Sequence, residues 1–131
     1  MKIDLACIID DDPIFVYGAK RIMELNHFCE SFLIFNNGKD AFDYLEPVLK
    51  SGGTKIPEII LLDLNMPIMD GWQFLEHIVQ IPTEKKLTIY IVTSSIDPHD
   101  INKAKEFEGV SNYVVKPITF PKLQQLIEQH Q

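Results

Sequence analysis

Apolar residues gather in five short runs: Ile3 to Ile9, Phe32 to Phe35, Ile59 to Leu62, Leu87 to Val92 and Tyr113 to Val115. Their length and β-branched content predict strands. The stretches between them carry helix signals. Asp12 followed by Pro13, and Asp97 followed by Pro98, each supply a cap and a first-turn proline, while Thr119 is placed to cap the last helix. Asp70 and Gly71 predict a turn and cap for a helix holding Trp72, Phe74 and Leu75. Within Asp97 to Phe107, the apolar Ile101, Ala104 and Phe107 fall at helical spacing, and Gly109 is placed to end that helix. Glu46 to Pro57, with Pro47, Gly52 and Gly53, reads as a frayed helix end and loop. Five strand-then-helix units result, the third and fourth strands almost continuously apolar. This pattern predicts an α/β fold, a doubly wound five-stranded parallel sheet with helices on both faces.

The chain has 131 residues, 46% of them hydrophobic, which suits one domain spanning residues 1–131 and is too short for two. A formal charge of -7 argues against direct binding to nucleic acid or to an anionic membrane surface. No apolar run approaches the roughly 20 residues that span a bilayer, and no signal-peptide pattern is present. A soluble, cytoplasmic protein is expected. Cys7 and Cys29 lie in apolar stretches without metal-like spacing and read as buried thiols. His27, His77, His99 and His130 share no ligand-like spacing and read as surface or helix positions.

The residues with chemistry fall where the strands end. Asp10, Asp11 and Asp12 follow the first strand, Asp63 the third and Lys116 the fifth, and Thr93 closes the fourth. Open parallel sheets bind ligands beyond the carboxyl ends of their strands, so these groups should share one crevice. Clustered carboxylates repel and raise one another's pKa unless a cation joins them. With oxygen donors and neither His nor Cys, magnesium is the best candidate. Lys116 adds a positive charge and Thr93 a hydroxyl, a set suited to phosphoryl transfer onto a carboxylate.

Four motifs, IIDDDP at Ile8 to Pro13, LLDLNMPIMDG at Leu61 to Gly71, IVTS at Ile91 to Ser94 and YVVKP at Tyr113 to Pro117, resemble the receiver domain of response regulators in two-component signalling. The resemblance covers essentially the whole chain. It implies a flavodoxin-like (βα)5 fold with strand order 2-1-3-4-5. It also implies Asp63 as phosphoacceptor, Asp11 as principal metal carboxylate and Asp10 as a metal ligand through water. Asn65 would ligate through its backbone carbonyl, Lys116 would bind phosphate, Thr93 and Tyr113 would form the switch, and the Lys116–Pro117 peptide would be cis. The implied role is a phospho-switch that catalyses only its own phosphorylation and dephosphorylation. Its implied partners are a histidine kinase or phosphotransfer protein on the input side, and on the output side a protein target or second copy. The output face would comprise the fourth helix, fifth strand and fifth helix, where Lys103, Glu106 and Lys122 could supply polar contacts.

Two other functions use similar parts. A phosphatase with an aspartyl-phosphate intermediate, of the haloacid-dehalogenase kind, would want an acid two residues after the nucleophile, where this chain has Asn65, which cannot cycle a proton. A flavin carrier would want a Ser/Thr/Gly-rich phosphate loop where three aspartates stand. The chain ends at Gln131, just past the fifth predicted helix, which suits a stand-alone receiver or one cut from a longer regulator.

Overall fold

The computed structural model describes residues 3–52, 55–83, 87–107 and 109–130. Five strands and five helices alternate along it: β1 (Ala6–Ile9), α1 (Pro13–Leu25), β2 (Phe32–Phe35), α2 (Gly38–Ser51), β3 (Ile59–Leu62), α3 (Gly71–Ile78), β4 (Thr88–Thr93), α4 (Pro98–Ala104), β5 (Val110–Val115) and α5 (Phe120–His130). The strands form one parallel sheet in the order β2-β1-β3-β4-β5. This is the flavodoxin-like arrangement expected from the sequence.

Strand side chains alternate between two apolar layers. Cys7, Ile9, Ile60, Leu62, Ile89 and Ile91 pack with Leu45 and Leu49 of α2, Phe74 and Leu75 of α3 and Ala104 of α4. Ala6, Ile8, Ile59, Leu61, Tyr90, Val92 and Val114 pack with Ala19 and Met23 of α1 and with Leu123, Leu126 and Ile127 of α5. The sheet is therefore covered on both faces, which explains why β1 and β3 are apolar at every position. Both cysteines are buried free thiols. Tyr90, in the middle of β4, donates its hydroxyl to the Leu126 carbonyl at 3.0 Å and so ties the sheet to α5.

The helix starts follow local chemistry. The Asp12 carboxylate accepts from the Ile14 N–H at 3.0 Å, with Pro13 in the first turn. Asp97 does the same for His99 at 2.9 Å, with Pro98. Asp70 and Gln73 form a reciprocal capping box. The Thr119 carbonyl accepts from Leu123 at the start of α5. Gly52 ends α2 in a left-handed conformation; Gly53 and Thr54, part of the expected loop, lie outside the described residues.

Two local readings change. The fourth helix does not continue to Gly109: regular α4 stops at Ala104, and Glu106 and Phe107 donate to Lys103 and Ala104, three residues back, in a tightened final turn. Glu106 thus lies beyond α4. The first apolar run contributes a four-residue strand, with Ile3 making only an isolated bridge to Cys29.

Candidate functional site

The register of the sheet brings the strand ends level. The Asp10 N–H donates to Phe35 O at 2.9 Å, that of Asp63 to Ile9 O at 2.9 Å, and that of Lys116 to Thr93 O at 2.8 Å. Each residue is thereby held by the neighbouring strand just where its own strand ends. One carboxylate oxygen from each of Asp10, Asp11 and Asp63 lies within 4.8 Å of the others. Asp10 and Asp63 are buried, at 2% and 6% exposure, while Asp11 is exposed.

Lys116 closes this group. Its Nζ stands 2.8 Å from Asp10 Oδ2 and 3.4 Å from Asp63 Oδ2, and 4.6 Å from the ring centroid of Phe15 on α1. Desolvation would lower its pKa, but the two carboxylates outweigh that and hold it above the ordinary lysine value. Asp10 is the most strained member electrostatically. Burial pushes its pKa up to about 6, against the opposing pull of Lys116 and the Asp12 N–H, and the neighbouring Asp63 charge adds to the rise. Asp10 Oδ1 accepts from the Asp12 N–H at 2.9 Å. Oδ2 meets Lys116 as an ionic contact and has no directed hydrogen bond.

That oxygen, met among the described residues only by the Lys116 ammonium, together with an all-oxygen donor set, fits a hard divalent cation that keeps part of its water shell. The fit rests on the residues themselves: three acids converge where one ammonium cannot balance them all.

The loop after Asp63 is held from below. The Asp63 side chain accepts from the Leu64 N–H at 2.8 Å. Gly71 donates to Leu64 O at 2.9 Å, and a Cβ there would lie 2.8 Å from Leu64 Cα. Gly38, at the start of α2, donates to Met69 O at 2.9 Å, where a Cβ would stand 2.7 Å from the same oxygen. Neither helix could start so close to the loop with a larger residue. Asn65 is exposed in this loop, two residues beyond Asp63. Ile68, also exposed there, takes φ of 70°, a conformation that a β-branched residue adopts at a cost.

Residues 6–128 match the family model described as response regulator receiver domain. The chain belongs to that family. A two-component response regulator from Cytophaga hutchinsonii superposes on it with a TM-score of 0.86 at 31% identity, covering 99% of this chain and 98% of that one. The probable methanogenesis regulatory protein FilR2 of Methanothrix harundinacea is 27% identical over 93% of this chain and 77% of its own length. Chemotaxis protein CheY-3 of Vibrio cholerae is 32% identical over 72% of each. The molecule is a receiver domain of two-component signalling.

Within the receiver, Asp10, Asp11, Asp63 and Lys116 lie in one cluster. Thr93 is fully buried at the end of β4, and its Oγ1 accepts a long 3.4 Å hydrogen bond from the Ser95 N–H. Half-buried Tyr113 donates its hydroxyl to Ser95 O at 3.0 Å, so the two switch candidates meet at one residue. The Lys116–Pro117 peptide is cis. His27, His77 and His99 are exposed; the side chain of His130 lies outside the described residues.

Two participants, Phe15 and Asp100, were not singled out by their sequence. Phe15 lies against Lys116. Asp100, on α4, accepts from Ser95 Oγ at 2.6 Å and from the Trp72 indole N–H at 3.1 Å. Trp72 stacks on Phe107 with centroids 5.8 Å apart, and its N–H also joins α3 to α4. Lys103, assigned to the output face, has its Nζ 4.7 Å from the Trp72 ring centroid and turns toward α3. The signal for Phe15 was available in part: Asp12 and Pro13 set the phase of α1, which puts residue 15 in its first turn. The other contacts join separate helices, and helix phase alone does not place them.

Proposed function

We propose that this receiver accepts a phosphoryl group on Asp63 from a histidine kinase or phosphotransfer protein, in a magnesium-dependent reaction, and passes the change on through α4, β5 and α5. One observation carries the reading. A buried Asp63 carboxylate directly follows β3 within 4.8 Å of two further carboxylates, with Lys116 Nζ 3.4 Å from its Oδ2.

Magnesium would be held by Asp11, Asp63, the Asn65 backbone carbonyl and, through water, Asp10; bound there, it would offset charge on the acids and on the incoming phosphoryl oxygens. Asp63 is the nucleophile. Its Oδ1 is oriented by the Leu64 N–H, leaving the second oxygen toward Lys116. Lys116 draws the transferring oxygens toward the crevice and balances their charge. No side chain needs to remove a proton, because an ionised carboxylate is already nucleophilic.

After transfer, the Thr93 hydroxyl gains acceptors on Asp63. Turning toward them draws on Ser95, which hydrogen-bonds both Thr93 and Tyr113. Tyr113 on β5 and Asp100 on α4 would then follow the loop, shifting an existing equilibrium by the difference in their contacts. Hydrolysis should rest mainly on the metal and on solvent access, since Asn65 is no base and the Ser95 hydroxyl is engaged by Asp100. The domain is expected to act in the cytoplasm as one unit spanning residues 1–131, toward a protein target or a second copy; no described helix is long and apolar enough to cross a membrane.

The test is intact-mass measurement after treatment with acetyl phosphate and magnesium. The parent should gain one phosphoryl group and Asp63→Asn none. Equal gain in the variant would remove Asp63 as acceptor. Sustained turnover of small phosphomonoesters would instead favour a phosphatase.

A further inference from the structure

Lys116 stands at the centre of the proposed chemistry, yet lysine is a flexible four-carbon stem whose charge goes where its partners hold it. Among the described residues, three groups hold this one: Asp10 Oδ2 at 2.8 Å, Asp63 Oδ2 at 3.4 Å and the Phe15 ring, whose centroid lies 4.6 Å from Nζ. The two carboxylates also belong to the acidic cluster. Any cation entering that cluster competes for them, and a phosphoryl group on Asp63 changes what that side chain presents. The aromatic face is the remaining restraint. It comes from α1, an element that supplies no acid to the cluster, and it is fixed by packing against the apolar layer of α1 and α5. The side chain of Lys116 is only 13% exposed, so water screens this contact weakly.

The alternation of the sheet accounts for the meeting. Ile8, Leu61 and Val114 face the α1 and α5 layer. Two residues on from each stand Asp10, Asp63 and Lys116, so the same parity continues past the strand ends toward α1. The α1 cap then presents Phe15 one turn in, beside the crevice.

We propose that Phe15 is a positioning residue for the phosphoryl-transfer reaction, holding the Lys116 ammonium over Asp63 when the acidic cluster is occupied by a divalent cation. The proposal rests on the receiver chemistry proposed above. It predicts that removing the ring face, while keeping an apolar side chain, slows phosphoryl transfer without weakening magnesium binding.

The experiment compares the parent, Phe15→Leu, Phe15→Trp, Lys116→Ala and the Phe15→Leu/Lys116→Ala double variant, in two measurements. First, NMR of metal-free protein reads the Lys116 side-chain Hε protons: the ring should shift them upfield in the parent, and Phe15→Leu should abolish that shift. Second, the phosphorylation rate constant is measured with acetyl phosphate at saturating magnesium. Phe15→Leu should lose about three- to tenfold, matching the usual range for a partly desolvated cation–π contact. Magnesium affinity should stay within about twofold, because Phe15 is not a ligand. Phe15→Trp should recover most of the rate. In the Lys116→Ala background, Phe15→Leu should have no further effect. Unshifted Hε protons in the parent, a parental rate in Phe15→Leu, or an equal loss with and without Lys116 would each overturn the proposal. If the parent accepts no phosphate, the receiver chemistry itself fails, and the NMR measurement still decides whether Phe15 holds Lys116.

Discussion

Asp10 should make the metal-free protein less stable at neutral pH than at acid pH, and the size of the effect follows from its burial. Its carboxyl is 2% exposed, and burial raises its pKa from 3.8 to about 6. The folded state therefore holds a proton on Asp10 more tightly than the unfolded state does. The contribution favouring the fold is fully present below about pH 4 and is lost as pH rises through about 6. The interval between 3.8 and about 6, at about 1.4 kcal/mol per pH unit, corresponds to about 3 kcal/mol. Asp10→Asn removes the titration and keeps the shape. It also removes the ionic partner of Lys116, but that attraction exists only while Asp10 is ionised and is already contained in the net rise to about 6. Urea unfolding of parent and variant in divalent-free buffer from pH 4 to 8 is the assay. The difference in unfolding free energy should move by about 2 kcal/mol in the variant's favour between pH 4 and pH 7, the rest of the titration lying below pH 4. Magnesium at pH 7 should return part of the lost stability to the parent. A difference that stays constant with pH would refute the reasoning, because it would mean that Asp10 titrates alike in the folded and unfolded chain.

The other predictions are briefer. Tyr90→Phe should cost about 1–2 kcal/mol in urea unfolding, since it removes a buried hydroxyl donor to the Leu126 carbonyl; an unchanged midpoint would show that the bond is worth nothing net. Gly71→Ala should destabilise by about 1–3 kcal/mol and slow phosphorylation, because its Cβ must push back Leu64 and the backbone of Asp63. Asp11→Ala should weaken magnesium binding, read by NMR titration, with little change in stability, as Asp11 is an exposed member of a mutually repelling group. Thr93→Ala and Tyr113→Ala should accept phosphate yet show reduced phosphorylation-induced NMR shifts across residues 97–130; full parental shifts in both would exclude the relay through Ser95.

The parts of the fold legible in the sequence were those written locally. Phe32 to Phe35 and Ile59 to Leu62 are strands over the expected residues, and the aspartate–proline pairs start α1 and α4 where expected. The site was legible because a topological rule gathers strand ends, so Asp10, Asp63 and Lys116 could be placed together without knowing any helix. Gly109 misled because it follows an apolar period that runs on to Phe107. That period survives the end of α4, since Phe107 still packs inward to stack on Trp72. Phe15, Asp100 and the contact of Lys103 with Trp72 escaped for a different reason: each acts across a gap between two elements, and such contacts depend on helix rotation that residue spacing leaves undetermined.

Trp72 is the single tryptophan of the chain, and its indole N–H shares Asp100 with Ser95. The loop that follows Thr93 is thus wired to a natural chromophore. Any rearrangement that parts Ser95 from Asp100 alters the charge and hydrogen bonding felt by the excited indole. The state of the loop becomes an optical quantity, readable from emission colour and intensity in an unlabelled protein. Wild-type kinetics could be followed in a stopped-flow fluorimeter without a dye, a tag or a substitution near the crevice.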